Sequence, residues 1–229
     1  MKPFFSKSFL PKRQNAFVYL NAVFLLFLLI SGEVPALTIV IAYFLETTIV
    51  GIVYAFKMHA IISFDNNKPG AKPSASNYAV IAFFLFHYCF FVAIQLIFVF
   101  AFLEISGSGI KEAFHLITNI GYVLSLKGMS MVLLSIAIYN FADYAVNFMM
   151  PKKYETANLS NIFSEPYVRI FVQQFAVILG GFFIIFSDGV FFVAVLIIII
   201  RSIMELYFIE NPTNNFLNEF KAPDFTEKE

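Results

Sequence analysis

Long runs of apolar residues, separated by short polar segments, dominate the chain. A helix needs about 20 predominantly apolar residues to cross roughly 30 Å of hydrocarbon. Six runs reach or approach that length and predict transmembrane helices over 16–30, 36–58, 78–103, 120–146, 167–187 and 190–209. The first two runs are joined by 31–35 and the last two by little more than 188–189, so each pair is predicted to form an antiparallel hairpin.

The predicted fold class is therefore all-α, a polytopic bundle of six transmembrane helices. The transmembrane domain is predicted over 16–210, between a short N-terminal segment, 1–15, and a polar tail, 211–229. Basic residues precede the first apolar run as in a signal peptide, but Pro35 beside the would-be cleavage point favours retention of this helix. A turn-rich loop is predicted over 65–76 and a short surface helix over 111–119.

The composition excludes a soluble domain. Of the 229 residues, 60% are apolar and only 13% are charged, with a mean hydropathy of +0.80, whereas a soluble domain carries about a quarter charged residues. Such a chain is also too apolar to be disordered. The formal net charge is zero, so no nucleic-acid partner is predicted. We expect the chain to lie in a lipid bilayer, the cytoplasmic membrane of a bacterium.

Lysine and arginine predict the orientation. With the N-terminus in the cytoplasm, only Lys111 falls in an outer loop, while Lys127 and Arg201 fall within predicted helices. Twelve basic residues then lie on the inner side, namely Lys2, Lys7, Lys12, Arg13, Lys57, Lys68, Lys72, Lys152, Lys153, Arg169, Lys221 and Lys228. This asymmetry follows the positive-inside rule and predicts that both termini are cytoplasmic.

Five polar side chains lie at membrane depth within predicted helices: Glu46, His87, Gln95, Arg201 and Glu205. Charged groups there are costly, so they mark a functional or a structural cluster. At about 1.5 Å per residue, Glu46 lies roughly 15 Å from the outer side, and His87 and Arg201 reach nearly the same level. The three can therefore converge in one layer, although sequence indicates depth and not direction around each helix axis.

Each polar group also has a structural interpretation. Glu46 is either protonated or paired with Arg201 to fix the helix register, and Arg201 with Glu205 forms an i,i+4 pair that can neutralise itself. A lone membrane histidine such as His87 is typically hydrogen-bonded to a neighbouring helix. Asn140, near the inner end of the fourth helix, is interpreted as a capping or anchoring residue. One polar face of the second helix is predicted to look inward, formed by Tyr43, Glu46, Thr47, Tyr54 and Lys57.

Small residues predict close helix packing, within the chain or with a partner subunit. In the fourth run they follow one helix face, at Gly121, Ser125, Gly128 and Ser135. In the fifth run they form a small-xxx-small pair and its neighbour, at Ala176, Gly180 and Gly181.

Four segments carry a family resemblance: 43–51 continuing to Lys57 and Met58, His87 with Tyr88, 166–170 followed by 180–182, and 201–205. They resemble a bacterial and archaeal family of six-helix membrane proteins that is known only as a domain of unknown function. Cys89 stands where that family often has glycine, and the family tends to show Lys and Asp at the separation of Arg201 and Glu205. The resemblance covers 43–205 and implies no known activity. It implies that the candidate functional positions are Glu46, His87, Arg169, Arg201 and Glu205.

The function predicted first is a non-catalytic accessory or scaffold subunit of a membrane complex, in contact with partner subunits or further copies of itself. The alternative is a proton- or cation-coupled transporter of small solutes that uses Glu46, His87 and Arg201. An intramembrane hydrolase is a remote alternative, since no paired-glutamate motif and no serine motif accompany the histidines. No cofactor or metal is predicted, because the three histidines fall at different depths.

Overall fold

The computed structural model describes residues 10–69, 75–107, 109–171 and 190–210, and within these ranges every regular element is helical. The helices are α1 (Ala16–Ile30), α2 (Ala36–Asn66), α3 (Ala75–Ile105), α4 (Leu116–Leu124), α5 (Met129–Asp143), α6 (159–171, as far as it is described) and α7 (Val190–Glu210). A π-helical segment (Tyr144–Met149) continues α5, and a 3₁₀ turn (Lys153–Glu155) precedes α6. The all-α prediction is confirmed for this part of the chain.

Three of the described helices are long and apolar enough to cross a membrane: Ala36–Asn66, Tyr78–Ile105 and Met129–Met149. The first of these, α2, is central, since 72% of its most apolar window is buried against 28% for each of the others. It packs against α1, α3, α5 and α7. Large apolar side chains such as Phe86 and Leu134 are exposed on the outer helices. Soluble proteins rarely present so much apolar surface, and lipid accommodates it.

The turn between α1 and α2 lies where the sequence predicts it. α1 ends at Ile30 and α2 begins at Ala36. Gly32 has a φ of 70°, and the backbone N–H of Val34 donates to the carbonyl of Leu28 at 3.3 Å. Pro35 immediately precedes the first turn of α2, where a missing N–H leaves no helical hydrogen bond unmade.

Helices α2 and α3 both extend beyond their predicted ends. α2 continues past Met58 to Asn66, while α3 begins at Ala75 instead of Tyr78 and ends at Ile105. Hydropathy predicts only the part of a helix that lies in the hydrocarbon layer. The backbone hydrogen bonds of the helix can continue beyond it into polar sequence. With 31 residues, α2 is about 46 Å long, which exceeds the roughly 30 Å hydrocarbon layer. The predicted loop 65–76 is correspondingly shorter.

The prediction of a single continuous helix over 120–146 is wrong, because the chain forms two helices there. α4 ends at Leu124, and α5 begins after Gly128, which has a left-handed φ of 78°. A Cβ at position 128 would lie 2.6 Å from Val34 Cγ2, so both conformation and space require glycine. The surface helix predicted over 111–119 is also displaced, since 111–115 is non-helical and α4 begins at Leu116.

Helices α2 and α3 approach each other closely at Gly51. A Cβ at this position would lie 2.4 Å from Cε1 of Tyr88. The Tyr88 ring is buried, and its hydroxyl donates a hydrogen bond of 2.9 Å to the backbone carbonyl of Thr47. The contact places the Tyr88 side chain of α3 against the stretch of α2 from Thr47 to Gly51.

Candidate functional site

The polar face of α2 lies in the interior, and that prediction is confirmed. All five of its side chains are buried, and Glu46 retains only 5% of its accessible surface. These members are Tyr43, Glu46, Thr47, Tyr54 and Lys57. A helix whose other faces are apolar turns its polar face away from lipid. The candidate site is built on this face.

Glu46 forms a bidentate ion pair with Arg201 of α7. Arg201 Nε donates to Glu46 Oε2 at 2.6 Å, and Nη2 donates to Oε1. Asn140 of α5 donates from Nδ2 to the same Oε1 at 2.8 Å and to the carbonyl of Ile136. Two parallel charge-assisted hydrogen bonds constrain both distance and angle. Glu46 therefore ties α2, α5 and α7 together.

A second ion pair joins α6 to α7, one helical turn along α7. Arg169 Nη1 donates to Glu205 Oε1, and the hydroxyl of Tyr139 donates to Glu205 Oε2 at 3.0 Å. The self-neutralising pair predicted for Arg201 and Glu205 is therefore wrong, since each binds an opposite charge from another helix. Both residues face the bundle interior, where Glu46 and Arg169 are within reach, and spacing along α7 cannot reveal those partners.

Aromatic rings enclose both guanidinium groups. Arg201 Cζ lies 5.1 Å from the ring centroid of Tyr43 and 4.7 Å from that of Tyr139. Arg169 Cζ lies 5.9 Å from the centroid of Tyr54. Cations within about 6 Å of a ring centroid are attracted by the ring face. Carboxylates and rings together replace the water that these two arginines would otherwise require.

His87 makes a different contact from the one that a relay with Glu46 requires. Its Nδ1 lies 2.9 Å from the hydroxyl oxygen of Tyr167 on α6, and its ring stacks on Phe83 at a centroid distance of 5.4 Å. None of the described contacts joins His87 to Glu46 or Arg201. Gln95, two turns further along α3, is 2% exposed, and its amide has no hydrogen-bond partner within the described residues.

The small residues predicted to pack helices have separate environments. Gly128 contacts Val34, whereas a Cβ at Gly121 would have no atom within 4 Å. Ser125 lies at the C-terminal end of α4 and donates to the carbonyl of Tyr122 at 2.6 Å. Because the helix is interrupted between Leu124 and Met129, these residues do not share one face. Ala176, Gly180 and Gly181 lie outside the described residues.

A small cavity, the inner cavity, lies beside both ion pairs. Its volume is about 50 Å³, and its lining includes Glu46, Arg201, Arg169 and Glu205 together with apolar side chains of α2 and α7. A buried water occupies at least about 10–15 Å³ and needs polar partners. The inner cavity meets both conditions, so a water molecule fits beside the two ion pairs. His87 does not belong to the described lining.

A larger polar pocket, the vestibule, opens at one end of the bundle, with a volume of about 250 Å³. Its charged lining residues are Lys57, Asp143, Lys153, Glu165 and Arg169, accompanied by side-chain amides. The π-helical segment contributes Asn147 and Phe148, and π-helical turns occur often at functional sites. Arg169 lines the inner cavity as well, so this residue stands between the two spaces.

The histidines occupy three separate environments. The His59 ring lies 5.8 Å from that of Tyr78, and exposed His115 lies 3.1 Å from the Glu112 carboxylate at the surface. Among residues 10–69, 75–107, 109–171 and 190–210, no group of three or more His, Cys, Asp or Glu side chains could hold a metal ion.

Two members of the network are not apparent from the chain's local pattern. Asn140 is predicted to cap or anchor the inner end of its helix, and Arg169 is counted among the inner basic residues, yet Asn140 binds Glu46 and Arg169 pairs with Glu205. Lys57, also counted with the inner loops, is buried within α2. Of the other inner basic residues, those that the structure describes lie outside the α-helices: Lys12, Arg13, Lys68, Lys152 and Lys153. The resemblance at 166–170 was the one signal that pointed to Arg169.

Comparison with known proteins yields one family. The model of a family described as "Family of unknown function (DUF6498)" matches residues 5–219. No curated protein and no solved structure matches the chain.

Proposed function

Since the chain belongs to this family of unknown function, we propose that it is a six-helix integral membrane protein acting as a non-catalytic accessory or scaffold subunit. The observation that carries this proposal is the pairing of both membrane-depth carboxylates with arginines from other helices. A general acid or base must exchange a proton with a substrate within hydrogen-bond reach. Glu46 and Glu205 are instead committed to Arg201 and Arg169, which suits fixed helix positions.

Six crossings with both termini in the cytoplasm are supported by the apolar runs and the basic residues of the loops. The three long apolar helices supply part of this arrangement, and α1 is a shorter apolar helix of 15 residues. A bacterial cytoplasmic membrane would provide the required bilayer, and partner subunits or further copies would cover part of the exposed apolar surface.

Cysteine accessibility tests the orientation. In a Cys89→Ser background, we expect Lys68→Cys and Lys152→Cys to react from the cytoplasmic side and Lys111→Cys from the outer side, because the positive-inside rule places them so. The measurement is labelling with a membrane-impermeant maleimide in spheroplasts and in inverted vesicles. The background variant without added cysteine is the control. Reaction of Lys68→Cys and Lys152→Cys from opposite sides contradicts the proposal.

A scaffold or accessory subunit is expected to remain part of a complex when it is extracted from the membrane with detergent. Purification of the full chain in a mild detergent should give a particle that contains a stoichiometric partner or several copies, measured by native mass spectrometry. The same preparation after transfer to a harsh detergent is the control. A particle with the mass of one 26.0 kDa chain and bound lipid under mild conditions contradicts the subunit role.

Coupled transport is a second candidate because the vestibule reaches the charged network. Arg169 lines both the vestibule and the inner cavity, so breaking its pair with Glu205 would connect a polar space of about 250 Å³ with one of about 50 Å³. A gate of this kind suits alternating access around a site at mid-membrane. In that case Glu46→Gln would abolish solute-driven proton uptake in vesicles without lowering membrane abundance.

A further inference from the structure

Lys57 is a buried cation on the wall of the vestibule. Lys57 is 8% exposed and lines this pocket. Its Nζ lies 4.3 Å from the ring centroid of Tyr54 and 5.7 Å from that of Phe148. Within the described part of the chain, Lys57 has no hydrogen bond and no ion pair. An ammonium group has three N–H donors, and ring faces satisfy only part of that capacity.

The acidic residues of the vestibule are engaged elsewhere. Asp143 Oδ1 accepts a hydrogen bond of 2.7 Å from Nδ2 of Asn147. Glu165 interacts electrostatically with Arg169, which is itself paired with Glu205. Neither Asp143 nor Glu165 forms an ion pair with Lys57, and Glu205, whose carboxylate feels the charge of Lys57, is itself paired with Arg169. Within the described residues, Lys57 therefore has no carboxylate in direct contact.

A second cation lies at the rim of the same pocket. Lys153 is exposed, lines the vestibule and forms no ion pair among the described residues. Side chains of Thr156, Asn158 and Asn161 line the pocket beside it and can add neutral donors. The preceding residue, Lys152, is exposed, lies outside the described lining, and is 3.9 Å from Glu155. The loop therefore provides one lysine that faces the vestibule and one that does not.

We propose that the vestibule binds a phosphate group, with Lys57 as the buried anchor and Lys153 as the second cation at the rim. Lysine binds phosphate as a point charge, and several neutral donors can share the remaining oxygens. A bound anion would supply the direct ion pair that Lys57 does not form with any described carboxylate, in a position where its ammonium group is desolvated. The phosphate belongs either to a soluble ligand or to a phospholipid headgroup, since the pocket opens at one end of the bundle. This site is independent of whether the protein is a scaffold or a transporter.

The test compares two probes on the purified full chain in a maltoside detergent, whose headgroup carries no phosphate. Radiolabelled inorganic phosphate is measured by equilibrium dialysis, and retention of phosphatidylglycerol is measured by native mass spectrometry. We expect Lys57→Gln to weaken binding of one probe by about tenfold or more, because a charged hydrogen-bond partner is lost. Lys57→Arg should keep most of the affinity, and Lys152→Gln should match the unchanged protein.

Each outcome separates the sources or overturns the site. If the protein binds inorganic phosphate and Lys57→Gln weakens that binding, the ligand is a soluble phosphate compound. If the protein retains phosphatidylglycerol and only Lys57→Gln loses it, the ligand is a phospholipid headgroup. Absence of binding by both probes, or equal binding by Lys57→Gln and the unchanged protein, overturns the proposal. If Lys57→Gln fails to fold, exposed Lys153→Gln replaces it in the comparison with Lys152→Gln, and equal affinities of those two variants overturn the proposal.

Discussion

Replacing Glu46 with glutamine should lower the free energy of unfolding by about 3 kcal/mol or more, because Arg201 then remains buried without its counter-charge. Glutamine preserves the shape of the side chain and can accept one hydrogen bond, so the loss comes mainly from the charge. The measurement is unfolding of the purified protein in detergent, followed by circular dichroism, together with the amount of protein in the membrane.

Two variants show whether the unpaired charge causes the loss. Glu46→Met combined with Arg201→Met should recover most of the stability, since an apolar replacement of a whole buried ion pair is often neutral or favourable. Ser202→Ala, beside Arg201, removes only a hydrogen bond to the Ile198 carbonyl and should change stability by about 1 kcal/mol at most. Unchanged stability of Glu46→Gln, with loss of proton-coupled uptake, would favour a relay over a structural pair.

Replacing Gly128 with alanine should destabilise the protein by about 2–4 kcal/mol, the sum of a conformational and a steric cost. Gly128 has a φ of 78°, which disfavours any side chain, and an added Cβ would lie 2.6 Å from Val34 Cγ2. The same detergent unfolding assay measures the effect. Gly121→Ala is the matched control, because Gly121 lies in α4 with nothing within 4 Å of an added Cβ. That variant should be neutral or stabilising by up to about 1 kcal/mol.

A second substitution separates the two costs at Gly128. Val34→Ala in the Gly128→Ala background removes both Val34 methyl groups, including the Cγ2 that the new Cβ meets, but it leaves the left-handed backbone. We therefore expect partial recovery relative to Val34→Ala alone. Equal effects of Gly128→Ala and Gly121→Ala would contradict the interruption between α4 and α5.

This interruption shows where hydropathy loses its predictive value. The run 120–146 is mostly apolar, and Lys127 is its only charged residue before Asp143, so its composition favours one long helix. Its division at Gly128 depends on Val34, which is distant in the chain and close in space. A glycine inside an apolar run is compatible with a helix interior or with a left-handed turn, and only the neighbouring segment decides between them.

The candidate site shows the same division. Apolar periodicity predicts that Glu46 and Tyr54 face inward, and both are buried. Helix rise also predicts that Glu46 and Arg201 lie at one level, and they form an ion pair. The same argument predicts that His87 lies at this level, but His87 contacts Tyr167 on α6 and neither Glu46 nor Arg201 in the described contacts.

Composition, apolar periodicity and residue spacing are enough to predict the helical character of the described segments, their suitability for lipid and the polar face of α2. These properties depend on the free energy of transferring side chains from water to hydrocarbon and on the geometry of the helix. Each of these is determined within a single segment of the chain. Packing between the helices, in contrast, sets the pairing of Glu46 with Arg201, the pairing of Glu205 with Arg169 and the position of Lys57 on the wall of the vestibule. Those relations depend on how each helix is rotated about its axis and on which helices are neighbours, which is settled by packing between segments far apart in the chain.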